Sequence, residues 1–132
     1  MDYIKRIDLK RNYLKYRDEY GAALEKACEN TSFSGGVCAE EFDKEFAAFC
    51  GTKYATGVNN GTSALHCAMM ALGVTCGDEV IVPANTFIAT AWAPTYCGAT
   101  PVFVDCTAGT WEIDPDKIEE KITKKTKGII GV

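Results

Sequence analysis

Apolar residues recur at helical spacing through the first third of the chain. Tyr13, Tyr16, Tyr20, Ala23, Leu24 and Ala27 share one stripe, which predicts a helix over about residues 11–29. The polar, glycine-rich run from Asn30 to Gly36 reads as a loop. Phe42, Phe46 and Phe49 then follow at i, i+4 and i+7 on a second helix, with Gly51 placed to end it. Beyond Gly51 short apolar runs alternate with helical patterns. Strands are expected at Tyr54–Val58, Glu79–Val82, Pro101–Val104 and Gly128–Val132. Helices are expected at Thr62–Leu72, at Thr86–Tyr96 and after Asp114-Pro115, the last with an N-cap, an N1 proline and Ile118 and Ile122 on its apolar face.

Strands that are continuously apolar, separated by helices, argue for an α/β domain with a mainly parallel sheet and flanking helices. Charge supports this. Residues 1–51 carry 18 charged side chains and residues 111–132 carry 10, whereas the 59 residues between them carry four: Lys53, Asp78, Glu79 and Asp105. A stretch so poor in charge is expected to be covered on both faces. At 132 residues one domain is expected, with N-terminal helices over 1–51 and an α/β part over 52–132. The sequence stops inside its last strand, so the expectation is a piece of a longer protein, or a fragment that self-associates through unpaired edges and bared apolar faces.

Composition narrows the function. With 47% hydrophobic and 24% charged residues the chain is an ordinary globular mixture. A net charge of −4 makes nucleic acid and anionic membranes poor partners. Prolines and polar residues interrupt the apolar stretch from Val80 to Val104, so it is not a membrane span. The charged N-terminal run over residues 1–11 does not read as a signal peptide, which points to the cytoplasm. In that reducing compartment the seven cysteines, with no C-x-x-C pair among them, are expected to act as small buried hydrophobes rather than as metal or redox ligands. The sole histidine, His66, adjoins Cys67, but adjacent helical side chains point about 100° apart, so they make a poor catalytic couple.

Two segments carry candidate chemistry. In Gly57-Val58-Asn59-Asn60-Gly61-Thr62-Ser63-Ala64-Leu65 a strand runs through a Gly/Asn turn into a helix. The free N–H groups of that helix's first turn, its positive dipole end, and the hydroxyls of Thr62 and Ser63 could seat a phosphate, with Gly61 allowing close approach. The same residues are also compatible with a plain turn in which Thr62 or Ser63 caps the helix. No Walker or dinucleotide-binding pattern is present. The second segment, Pro83-Ala84-Asn85-Thr86-Phe87-Ile88-Ala89-Thr90, follows a strand and so lies at the carboxyl end of a parallel sheet, where ligands bind. Phe87 could present its face to a flat heterocycle, or could be ordinary core with Thr86 and Thr90 capping.

Taken in order, Asn60-Gly61-Thr62-Ser63-Ala64-Leu65, Gly77-Asp78-Glu79-Val80-Ile81-Val82-Pro83, Thr86-Phe87-Ile88-Ala89-Thr90 and Gly98-Ala99-Thr100-Pro101-Val102-Phe103-Val104-Asp105 resemble the DegT/DnrJ/EryC1/StrS group of pyridoxal-phosphate-dependent sugar aminotransferases. Ile7-Asp8-Leu9, Ser34-Gly35-Gly36 and the stretch from Ile113 to Gly128 are similar to that family as well. The resemblance implies part of a fold type I large domain. It also implies a cofactor phosphate held by Gly61, Thr62 and Ser63, with Phe87 stacked on the pyridine ring. Ser34, Gly35 and Gly36 would lie in a loop bordering the substrate and the partner of a homodimer. The implied reaction moves an amino group from glutamate to a keto group on a nucleotide-linked sugar, and the Pro83–Thr86 wording leans to 3-keto over 4-keto sugars. The family's Schiff-base lysine and pyridinium aspartate fall beyond Val132; no lysine here matches, and Asp105 is not that aspartate. Lys121, Lys124, Lys125 and Lys127 read as solvated charges at a helix end. The chain alone is therefore expected to be inactive. The alternatives are a non-catalytic binding or regulatory module on the same fold, and another type I pyridoxal-phosphate enzyme or nucleotide binder.

Overall fold

A computed structural model describes Ile4 and residues 7–132, in two compact units that meet between Gly57 and Val58. The leaderless reading of the N-terminus rests partly on residues 1–3, 5 and 6, outside the described set.

The first unit is three helices: α1 (Leu9–Lys15), α2 (Arg17–Glu29) and α3 (Val37–Cys50). The single helix expected over 11–29 is broken at Tyr16, whose amide bonds to both Asn12 and Tyr13 carbonyls and so tightens the last turn of α1. The tyrosine stripe survives the break, with Tyr13 and Tyr20 stacked at 6.3 Å. Gly35 (φ 77°) and Gly36 (φ 87°) take the left-handed conformations that lead into α3. Gly51, at φ 67°, ends α3 as expected. Phe42, Phe46 and Phe49 do share one face, the first two stacked at 5.4 Å and the last two tilted at 6.2 Å, yet all three are exposed. Ala47 is the one buried residue in these three helices. A half-exposed pair, Lys26 to Glu41 at 2.6 Å, joins α2 to α3.

The strand expected at Tyr54–Val58 is not formed. A strand exists through its ladder, and no described strand pairs with this segment. Its polar groups are met locally instead: the Thr52 hydroxyl donates to the Tyr54 carbonyl, and the Gly57 amide to Asp43 at 2.7 Å.

The second unit runs α4 (Gly61–Ala71), β1 (Glu79–Pro83), α5 (Ala89–Tyr96), β2 (Thr100–Val104), two 3₁₀ turns (Pro115–Lys117 and Glu119–Lys121) and β3 (Thr126–Ile129). The strands form a parallel sheet in the order β2-β1-β3, so β1 is central. Val80, Ile81 and Val82 are fully buried, which explains why this strand reads as unbroken apolar sequence. Val80 and Val82 pack with Met69 of α4, Ala93 of α5, Val74 and Ala99. At the other end of β1, Glu79 accepts the Thr123 hydroxyl at 2.6 Å and anchors the approach to β3.

Two expected helices differ. α5 begins at Ala89 rather than Thr86, because residues 84–86 are drawn toward the neighbouring strand end: the Ala84 amide bonds the Val104 carbonyl at 2.8 Å. After Asp114 the cap and the N1 proline are present, but only 3₁₀ turns follow. Ile122 is already extended and a Thr123–Thr126 turn intervenes, too soon for a helical run to propagate. The cysteine expectation also needs correcting. All seven are free, and four (Cys28, Cys50, Cys67 and Cys76) are exposed and three half-buried, since they fall on helix and turn surfaces that this chain leaves uncovered. Cys97 alone among them packs against the core cluster. No helix among the described residues is long and apolar enough to cross a membrane.

Between β2 and the first 3₁₀ turn the chain makes an excursion, closed by a Cys106–Ile113 bridge and by the Asp114 amide on the Asp105 carbonyl. Lys117 lies 3.1 Å from Asp105 and 3.6 Å from Asp114. The Cys106 amide, and then Lys117, hold the Asp105 carboxyl below its ordinary value; hydrogen bonding to Asp105 raises Lys117 above its own. A lowered acid favours the folded loop above its unfolded pKa and loses that contribution as pH falls through the folded value. A raised lysine loses its contribution only as pH rises through a value above the usual lysine range. The protection of the Cys106 and Asp114 amides, taken relative to the intrinsic exchange rate at each pH, is therefore expected to fall as pH drops below the ordinary carboxylate range, and to be flat through neutrality. Being solvent-exposed, the effect should shrink in high salt. Asp105→Asn should remove the acid limb; an unchanged acid limb in that variant would disprove the clamp.

Candidate functional site

The amino end of α4 is built by Asn60. Its side-chain oxygen accepts the Ser63 amide at 2.9 Å, and its carbonyl accepts the Ala64 amide at 3.1 Å, the first bond of the helix. The cap is thus Asn60, not Thr62 or Ser63, which sequence reasoning had considered. An Asn three residues before Ser63 was the available signal. With Ser63 N–H used, the amides of Gly61 and Thr62 remain as donors ahead of the helical ladder, at the positive end of the dipole.

Facing this turn is the loop that follows β1. The Thr86 and Thr90 hydroxyls bond each other at 2.7 Å, fixing the loop against the start of α5. Between Thr86 and Thr90, Phe87 is 73% exposed, so it is not core. Gly61, Thr62, Leu65, Thr86, Phe87 and Thr90 line one open concavity of about 670 Å³ at the carboxyl ends of β1 and β3. Because β1 lies between β2 and β3, this is the kind of sheet end at which the chain diverges to both sides and ligands settle.

Gly61, Thr62 and Phe87 are therefore brought together. Ser63 is half-buried and does not line the concavity. Ser34, Gly35 and Gly36 belong to the first unit, where Gly36 caps α3. His66 packs edge-on against Tyr96 at 5.4 Å.

Gly61 provides a test of what the concavity is for. Its φ is not left-handed, and nothing lies within 4 Å of where a Cβ would stand. Neither backbone nor internal packing requires glycine there; what glycine leaves is room for a group from outside. Unpaired amides, a dipole, clear space and an exposed ring fit a phosphorylated planar ligand. No charged side chain lines the concavity, so nothing there competes with the amides for the anion.

A parallel α/β sheet with free helix-start amides and an exposed aromatic ring at its carboxyl ends has the architecture of an α/β domain that receives ligands at its strand ends. Comparison with known proteins narrows the class further: the DegT/DnrJ/EryC1/StrS aminotransferase family matches residues 15–132, and the chain belongs to that family. It is 43% identical over 126 residues to the dTDP-3-amino-3,6-dideoxy-alpha-D-galactopyranose transaminase of Aneurinibacillus thermoaerophilus, covering 96% of this chain and 35% of the relative. It is 50% identical over 107 residues to the GDP-perosamine synthase of Caulobacter vibrioides, covering 80% and 29%. The crystal structure of NtdA from Bacillus subtilis with bound cofactor PMP superposes with a TM-score of 0.80 at 39% identity, covering 86% of this chain and 27% of that one. The chain thus spans about a third of the length of the curated relatives it matches.

Proposed function

We propose that the chain is the cofactor-phosphate part of a pyridoxal-phosphate-dependent aminotransferase that moves an amino group from glutamate to a keto group of a nucleotide-linked sugar. The observation that carries this is the pairing of Gly61–Thr62 with Phe87 across one concavity, neither side of which internal packing accounts for. The Gly61 and Thr62 amides would donate to the phosphate, the Thr62 hydroxyl would supplement them, Ser63 would steady the turn through its amide on Asn60, and the Phe87 face would cover the ring. The Thr86–Thr90 bond keeps Phe87 in place. Bound pyridoxal phosphate would supply the electron sink that amino transfer needs.

Neither a lysine nor an acidic side chain lines the concavity, so in this reading these side chains bind and orient but do not move a proton. The polypeptide alone is accordingly inactive in this reading. The same observation favours the second reading, a non-catalytic binding module. A 3-keto sugar is preferred because the Aneurinibacillus relative is a 3-amino-sugar transaminase and the Pro83–Thr86 wording leans the same way. A homodimer, bordered by Ser34–Gly36, and a cytoplasmic location complete the proposal.

The test uses deoxypyridoxine phosphate, which lacks the aldehyde and so cannot react with surface lysines. Its phosphorus resonance is expected to shift saturably on adding the chain, and deoxypyridoxine without phosphate should compete poorly. Phe87→Ala should weaken binding about tenfold. No shift at excess protein would refute the cofactor reading. Steady conversion of glutamate and a keto sugar by the purified chain would refute its inactivity. In the intact gene product, turnover separates the aminotransferase from the binding module.

A further inference from the structure

Beside the concavity lies a feature that the proposed cofactor site leaves unused. Trp111 sits at the tip of the excursion after β2, with φ 65°. A bulky side chain in the left-handed region costs about 1–3 kcal/mol and persists only where its surroundings impose it. They do so here. The Trp111 amide bonds the Thr107 carbonyl at 3.0 Å, the Thr107 amide bonds the Glu112 carbonyl at 2.9 Å, and the Asp105–Lys117–Asp114 clamp closes the base. Yet the indole is 66% exposed, so burial does not offset the strain.

The excursion is also tied to the site. The Asn85 side-chain amide donates to the Trp111 carbonyl at 3.5 Å, and Asn85 is two residues from Phe87. β1 and β2 are adjacent and parallel, so both loops leave the same end of the sheet. Trp111 nonetheless does not line the concavity. Its place suits a part of a ligand that extends beyond the phosphate and ring.

We infer that Trp111 is a specificity-determining residue, a stacking platform for the planar base of a nucleoside diphosphate carried by the substrate. This rests on the proposed function for its substrate class. It adds a residue and a chemistry to it: an exposed indole, held rigidly by its own loop, that pairs with a flat base at little entropic cost.

Trp92 and Trp111 are the chain's two tryptophans, so Trp92→Phe leaves Trp111 as sole indole. In that background thymidine diphosphate is expected to quench the emission saturably, and inorganic pyrophosphate, which has the charge but no base, is not. Trp111→Gly relieves the strained φ and should leave the chain as stable or more so, while weakening thymidine diphosphate about tenfold by calorimetry. Trp111→Phe should retain most of the affinity. Quenching no more saturable than that of free N-acetyltryptophanamide, an equal response to pyrophosphate, or unaltered affinity in Trp111→Gly overturns the inference. Deoxypyridoxine phosphate titrated alongside separates the two proposals. If it binds and the nucleotide does not, the platform falls and the cofactor reading stands; the reverse result does the opposite.

Discussion

Gly61→Ala is expected to leave the chain as stable as before or slightly more so, while weakening deoxypyridoxine phosphate by roughly 10- to 100-fold. The two signs have separate origins. Alanine is the better helix former by about 0.5–1 kcal/mol at an interior position, and somewhat less at the first helical residue. No atom within 4 Å obstructs the added methyl, and the backbone there is not left-handed, so no strain opposes the gain. Gly61 lines the concavity, so the methyl is expected to crowd an anion approaching the Gly61 amide. A hydrogen bond to a charged group contributes about 1.5–3 kcal/mol, and displacing the phosphate forfeits at least one. Thermal unfolding and phosphorus resonance titration read the two effects independently. A loss of stability with affinity intact would mean that glycine serves the fold, and the phosphate seat would have to be abandoned. Asn60→Ala makes a useful contrast: by removing the cap it should lower stability and affinity together, since the Ser63 amide would then need a new partner.

What could be read from sequence divides along physical lines. β1 was legible because Val80, Ile81 and Val82 are enclosed on both faces, and enclosure leaves an unbroken apolar run. α4 was legible because its length and its Gly/Asn turn are local properties. The same holds for α3, which closes at Gly51 through glycine's access to positive φ. Errors fell where a non-local partner decides. Tyr54–Val58 has strand-like side chains but finds no ladder among the described residues, and α5 starts three residues late because the Val104 carbonyl draws in the Ala84 amide. The phenylalanine stripe of α3 was correctly periodic but gave no information about cover: Phe49 is 86% exposed. The cysteines failed for the same reason, since residue type predicts burial only where something packs against it. At the candidate site, residue chemistry and position at strand ends singled out Gly61, Thr62, Ser63 and Phe87, and the first two share one concavity with Phe87 while Ser63 stands off it. The Asn60 cap was signalled by an Asn three residues before Ser63 but competed with Thr62 and Ser63 for that role, and the strained φ of Trp111 has no sequence signal at all.

Ile81→Ala carries the largest expected loss of stability. Ile81 is fully buried in the central strand, and truncating a buried isoleucine costs about 2–5 kcal/mol through lost transfer energy and the cavity left behind. A unit running from Val58 to Val132 has only about 4–11 kcal/mol of stability at ordinary per-residue values, so the substitution removes a large fraction of it. The sheet supplies its own control. Ile129 of β3 stands opposite Ile81 in register but is 49% exposed, so Ile129→Ala makes the same chemical change beside half as much protein. It is expected to cost about 1 kcal/mol or less. Urea unfolding of the two variants should show a clear gap in midpoint, and equal costs would mean that β1 is not the buried centre of this sheet. The consequence reaches the site, because β1 ends at Pro83, directly ahead of the loop that holds Phe87. In Ile81→Ala the phosphorus shift of deoxypyridoxine phosphate should fade in proportion to the folded fraction, with the affinity of the remaining folded molecules unchanged. Gly61→Ala inverts that pattern, so measuring fold and affinity in both variants separates the scaffold from the seat it carries.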